Sequence, residues 1–186
     1  FRLSSNGDYV ALVQPDEVTI EDESPAGIPQ GSDISYGLSS DGFLGYFAEP
    51  TPGEANPPLE ENVGPVLRDP ENLTGEPVLA EPAADSEIVV SVSVSPTFHP
   101  VSEVRLIRRF MFKGEAAVVM RDDGQAPDET EGDGVYTGAF GLTSIFGPQI
   151  APGEMARWRF EAEDEAGNVT RLPRFQDPDD ADEYFE

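Results

Sequence analysis

From Ile88 to Ser95 the chain alternates, with Val90, Val92 and Val94 on one side and Ser91, Ser93 and Ser95 on the other. Successive side chains of a strand point to opposite faces, so a period of two predicts a strand buried on one face. Similar runs follow. Val104 to Phe112 sets Val104, Leu106, Phe110 and Phe112 on one face, with Arg108 interrupting it. That interruption predicts a bulge or a buried ion pair. Lys113-Gly114 turns into Glu115 to Met120, and Val135 to Phe140 and Met155 to Glu163 follow. In the last run Trp158, Phe160 and Ala162 are expected inside, with Arg157, Arg159 and Glu161 facing solvent. Ala166-Gly167-Asn168 then turns into Val169 to Leu172. Six or seven short strands at this spacing predict an all-β fold, an immunoglobulin-like β-sandwich of about 100 residues over 77–175. The inter-sheet cysteine pair of antibody domains is missing, because the chain has no cysteine.

Residues 1–57 read as a separate unit. Asn6-Gly7 leads into Asp8 to Gln14, which a Pro15-Asp16-Glu17 turn returns through Val18 to Glu21. Ile34 to Leu38 and Phe43 to Phe47 form a second hairpin across Ser39-Ser40-Asp41-Gly42, and Asp-Gly is a strong hairpin signal. Four short strands bury little surface alone, so this unit is expected to be the remainder of a larger β domain. Residues 58–76, rich in Pro, Glu and Gly, read as a semi-rigid connector in which Val66-Leu67 could form a short strand. Residues 176–186 read as an acidic tail or linker. Gly and Pro, 18 of each in 186 residues, favour short strands and turns over helices.

The net charge is −26, from 37 acidic and 11 basic residues, ten of them Arg. Such a field repels phosphate backbones and argues against nucleic-acid binding. Many acids with a single Lys also fit a salt-adapted source. No apolar run is long enough to span a membrane.

Between two apolar runs lies a loop dense in Asp and Gly: Asp122-Asp123-Gly124, Asp128, Gly132-Asp133-Gly134. Asp122, Asp123, Asp128 and Asp133 are the candidate metal ligands. Calcium takes six to eight oxygens, and the glycines could expose carbonyls beside the carboxylates. The spacing is not that of an EF-hand. The other reading is a turn, with Asp side chains bonding nearby amides and Gly supplying positive φ. Calcium is the only cofactor the sequence raises. Asp164 and Asn168 bracket a hairpin and predict an Asx-type bond. His99, the sole histidine, has no cysteine to share a zinc site with, and reads as structural. Nothing resembles a nucleophile with its base, so the chain reads as a non-enzyme. Tyr36, Phe43, Tyr46 and Phe47 could stack on sugars or build the first unit's core.

Three stretches of the first unit resemble the C-terminal part of a bacterial lamin-tail domain: FRLSSNGDYVALV at Phe1–Val13, DISYG at Asp33–Gly37, and GYFAEPTPGEAN at Gly45–Asn56. The resemblance implies a partial second β-sandwich whose N-terminal strands are absent from 1–57. The second unit is similar to the Ig-like domain that follows lamin-tail domains in large bacterial surface or secreted proteins. MRDDG at Met120–Gly124, GDGVYT at Gly132–Thr137 and AEDEAGN at Ala162–Asn168 carry that likeness. A spore-coat CotH-like kinase domain commonly comes next in such proteins, after a segment like Glu183–Phe185. The resemblance therefore implies an internal segment of an extracellular or cell-surface protein. Its partners would be the adjacent domains and a protein or glycan ligand, and its role spacing, adhesion or partner recognition. The alternatives are a carbohydrate-binding accessory module and an accessory region of a CotH-like kinase protein. No kinase phosphate loop or catalytic loop is recognisable in these residues.

Overall fold

The computed structural model describes residues 4–74, 87–111, 113–144, 147–148 and 154–174. They contain thirteen strands and no helix. No helix long and apolar enough to cross a membrane occurs among them. The chain divides into two compact units, Phe1–Glu61 and Asn62–Glu186.

The first unit holds two hairpins. Strands β1 (Val10–Val13) and β2 (Ile20–Ser24) pair antiparallel, as do β3 (Ser35–Leu38) and β4 (Leu44–Phe47). The β1–β2 turn is built by Asp16, whose carboxylate accepts from the Val18 and Thr19 amides at 3.0 and 2.9 Å and from the Thr19 hydroxyl at 2.6 Å. These three bonds, the side-chain one foremost, hold the Asp16 carboxyl below its ordinary pKa. Tyr46 and Phe47 are buried while Phe43 is 62 % exposed, so the aromatics divide between core and surface.

In the second unit seven strands form two antiparallel sheets. β5 (Val66–Asn72), β6 (Glu87–Ser95) and β9 (Val135–Gly141) run in the order β5-β6-β9. The other sheet runs β13-β12-β7-β8, from β7 (Val101–Phe110), β8 (Ala116–Val119), β12 (Ala156–Asp164) and β13 (Val169–Leu172). A two-residue ladder, β10 (Thr143–Ser144) with β11 (Gly147–Pro148), forms a separate small sheet. One core lies between the sheets. Val90, Val92, Val94 and Phe140 reach it from the first, and Val104, Leu106, Phe110, Trp158, Phe160 and Ala162 from the second. The Phe140 ring sits 6.2 Å from Phe110 and 6.3 Å from Trp158, tilted against both, so three aromatics from both sheets meet. The unit is a β-sandwich.

Three details refine or correct expectation. The short strand expected at Val66-Leu67 is there and runs on to Asn72, an edge strand paired with β6 inside the supposed connector. Asp69 takes φ 50° and the register shifts between Arg68 and Glu71, which absorbs Pro70 at a bulge on an edge, where proline is tolerated. Of the two expectations at Arg108 the bulge is absent: the β7–β12 ladder runs unbroken from Glu103 to Phe110, and the guanidinium lies 4.9 Å over the Phe110 ring. Arg159 and Glu161 do not face solvent, for both are buried, at 6 % and 8 % exposure. Phe112, residues 75–86 and the tail 176–186 lie outside the described residues.

Candidate functional site

The acidic loop runs from β8 in one sheet to β9 in the other. Its ends are tied by the Arg121–Thr137 bridge, with amides and carbonyls exchanged at 3.0 and 2.8 Å. Asp122 does most of the building. Its Oδ1 accepts from the amides of Gly132 at 2.7 Å and Asp133 at 3.2 Å, and its Oδ2 from Gly134 at 3.0 Å. Asp128, 6 % exposed, accepts from the Gly124 amide at 2.6 Å. Gly124 has φ 65°, and a Cβ there would lie 3.0 Å from the Glu131 amide nitrogen, so the turn excludes a side chain. Asp123 accepts from Gln125 N–H at 3.1 Å and pairs with Arg121 at 3.4 Å, and exposed Asp133 accepts from Val135 N–H at 2.8 Å.

Each of the four carboxylates is thus turned onto backbone amides of its own loop. Among the described residues no three His, Cys, Asp or Glu side chains gather as a metal would need. What the loop shows is an anionic turn wound on its own amides. Its charge is felt nearby, for burial and then the Asp122 carboxylate push the Tyr136 hydroxyl up from its ordinary pKa.

The same device recurs at the β12–β13 turn, as expected for an Asx-type bond. Asp164, 2 % exposed, accepts from the Ala166 amide at 2.9 Å, the Asn168 amide at 2.8 Å and the Asn168 side chain at 2.9 Å. Burial alone would raise this carboxyl. The Asn168 and Ala166 hydrogen bonds outweigh it, aided by the charge of nearby His99, and the net shift is downward.

The outer face of the four-stranded sheet carries what the sequence reading missed. Glu161 takes three guanidiniums: Arg171 at 3.1 Å, Arg159 at 3.2 Å and Arg105 at 3.7 Å. Arg159 also forks onto Glu115, at 2.5 and 3.1 Å. Arg105 reaches on to Glu163 at 3.3 Å and Glu103 at 3.5 Å. Register makes this possible, since Glu161 stands opposite Arg105 on one side and Arg171 on the other. The signal available in the sequence was charge alternation: Arg105 on β7 faces a β12 run of Arg157, Arg159, Glu161 and Glu163 broken by the core residues Trp158, Phe160 and Ala162. That alternation becomes readable as a network only once the pairing is known.

Comparison with known proteins adds nothing to this geometry: no family model matches the chain, and neither a curated protein nor a solved structure does. The lamin-tail resemblance rests on the residues quoted for it.

Proposed function

We propose that the chain is a non-catalytic structural and interaction segment of a larger multidomain protein, serving spacing, adhesion or partner recognition. The observation that carries this reading is how the polar side chains are used. Asp122, Asp128 and Asp164 wind turns, and Arg105, Arg159 and Glu161 brace a sheet. No base is poised beside a nucleophile among these groups. The split of three and four strands, with β8 beside β7, supports the immunoglobulin-like assignment. The quoted motifs support an extracellular or cell-surface bacterial setting, next to domains such as a CotH-like kinase.

The test is turnover by the purified chain alone, with ATP and magnesium and with a panel of glycosides. No turnover above buffer is expected. Activity that disappears in Asp122→Asn or Glu161→Gln would overturn the reading. Exposed Phe43 favours a second reading, a glycan-binding module. Saturable binding on a glycan array, lost in Phe43→Ala, would establish it.

A further inference from the structure

Strand β8 lies mid-chain, between β7 and β9, and ends the four-stranded sheet. Its register sets Val119 opposite Arg105, Val118 opposite Leu106 and Ala117 opposite Ile107, and the Met120 amide donates to the Val104 carbonyl at 2.8 Å. Bonded pairs alternate along an antiparallel ladder. Val118 and Met120 therefore turn their backbone to β7, while Ala117, Val119 and Arg121 turn theirs outward. Arg121 spends its outward groups on Thr137 of β9. Among the described residues no strand takes those of Ala117 and Val119. The edge also lacks the devices that keep sheet edges apart. β5 has a proline at a bulge, whereas Ala116-Ala117-Val118-Val119 holds no proline and no charge, and its register against β7 is unbroken.

The charges stand at the two ends and differ in sign, with Glu115 before the strand and Arg121 after Met120. A second β8, antiparallel about a two-fold axis at Val118, sets Ala117 of each copy opposite Val119 of the other, and both pairs can exchange their outward N–H and C=O groups. The same register sets Glu115 opposite Arg121 of the second copy at both ends, and opposite charges facing each other stabilise a ladder. Both side chains have room, for Glu115 is 40 % exposed beside Arg159 and Arg121 is 71 % exposed beside Asp123. A parallel, in-register pairing would set Glu115 against Glu115. We propose that β8 pairs antiparallel with β8 of a second copy of the chain, joining two four-stranded sheets into one. This rests on the interaction role proposed above and names the chain itself as a partner. The shared strand is short and each copy has a net charge of −26, so the dimer is weak.

Sedimentation equilibrium of the full chain, up to about 1 mM and at about 0.15 M salt, should show monomer and dimer. Amide exchange should slow at Ala117 and Val119 as the dimer forms, with little change at Val118, which already faces β7. Val119→Pro removes an N–H that β7 does not use, so it should abolish the dimer and keep the fold, while Val119→Thr should keep both. Arg121→Ser loses both end pairs and should weaken the dimer about tenfold. A chain that stays monomeric throughout would overturn the proposal. So would a dimer that survives Val119→Pro, one as tight in Arg121→Ser as in the parent, or one that protects other strands and not β8. None of these touches the non-catalytic reading, which turnover decides separately.

Discussion

Removing Glu161 should cost far more than removing an acid at the margin of the same network. The Glu161 side chain is 10 % exposed and faces three guanidiniums within 3.7 Å. In Glu161→Ala, Arg159, with its side chain 8 % exposed, keeps only part of its compensation through Glu115. Breaking a buried pair by deleting one partner costs about 3–5 kcal/mol. Because Glu115 remains and Arg171 is half exposed, we place the loss near the lower end, about 3 kcal/mol. With a urea slope of about 1.5–2 kcal/mol per molar, the midpoint should fall by about 1.5–2 M. Glu103→Ala is the control. That side chain is 41 % exposed and 3.5 Å from Arg105, so its loss should stay within about 1 kcal/mol. A double variant, Arg159→Met with Glu161→Leu, should recover much of the single variant's loss, since an apolar pair carries no desolvation penalty. Equilibrium urea melts of the four proteins decide it. If Glu161→Ala is no costlier than Glu103→Ala, the face is not a buried network and the reasoning fails.

Four further outcomes follow from the same geometry. Asp122→Ala strips three amides of their acceptor and should lower stability by about 1–3 kcal/mol, read as a shift in thermal midpoint. Gly64→Ala places a Cβ 2.9 Å from the Asn168 carbonyl and 2.8 Å from Thr170 Oγ1, and should cost about 1–3 kcal/mol in a urea melt. Asp164, whose folded pKa is depressed, contributes stability that is complete above about pH 4, the unfolded value, and is lost as pH falls through the folded one. Urea midpoints across acid pH should therefore fall less steeply in Asp164→Asn than in the parent. Melts in millimolar calcium and in chelator should superimpose if the acidic loop is a turn alone, since an ion held only by the folded state must raise the midpoint.

The strands were legible wherever apolar and polar residues alternate. Val90, Val92 and Val94 announce β6 by alternating with serines, although Ser91 on the other face is buried as well. β5 was legible only at Val66-Leu67, because Asp69-Pro70-Glu71 reads as connector, although an edge strand needs only one side paired and can carry a proline at its bulge. Arg159 and Glu161 were misplaced for a related reason. A charged residue has the same letter whether water or a guanidinium neutralises it, and the partners of Glu161 arrive from β7 and β13, through a register that no single strand encodes. The acidic loop is ambiguous at a deeper level. A metal loop and an Asx-built turn both require carboxylates beside residues of positive φ, so composition and spacing are equal under either. What separates them is direction. Carboxylates of a metal site converge on a point, while those of a turn reach back to their own amides, as Asp122 and Asp128 do, and whether an ion also binds is the question the melt answers. An ion entering here would have to take oxygens already held by four backbone N–H groups, which is why the calcium melt tests the geometry and not only the composition.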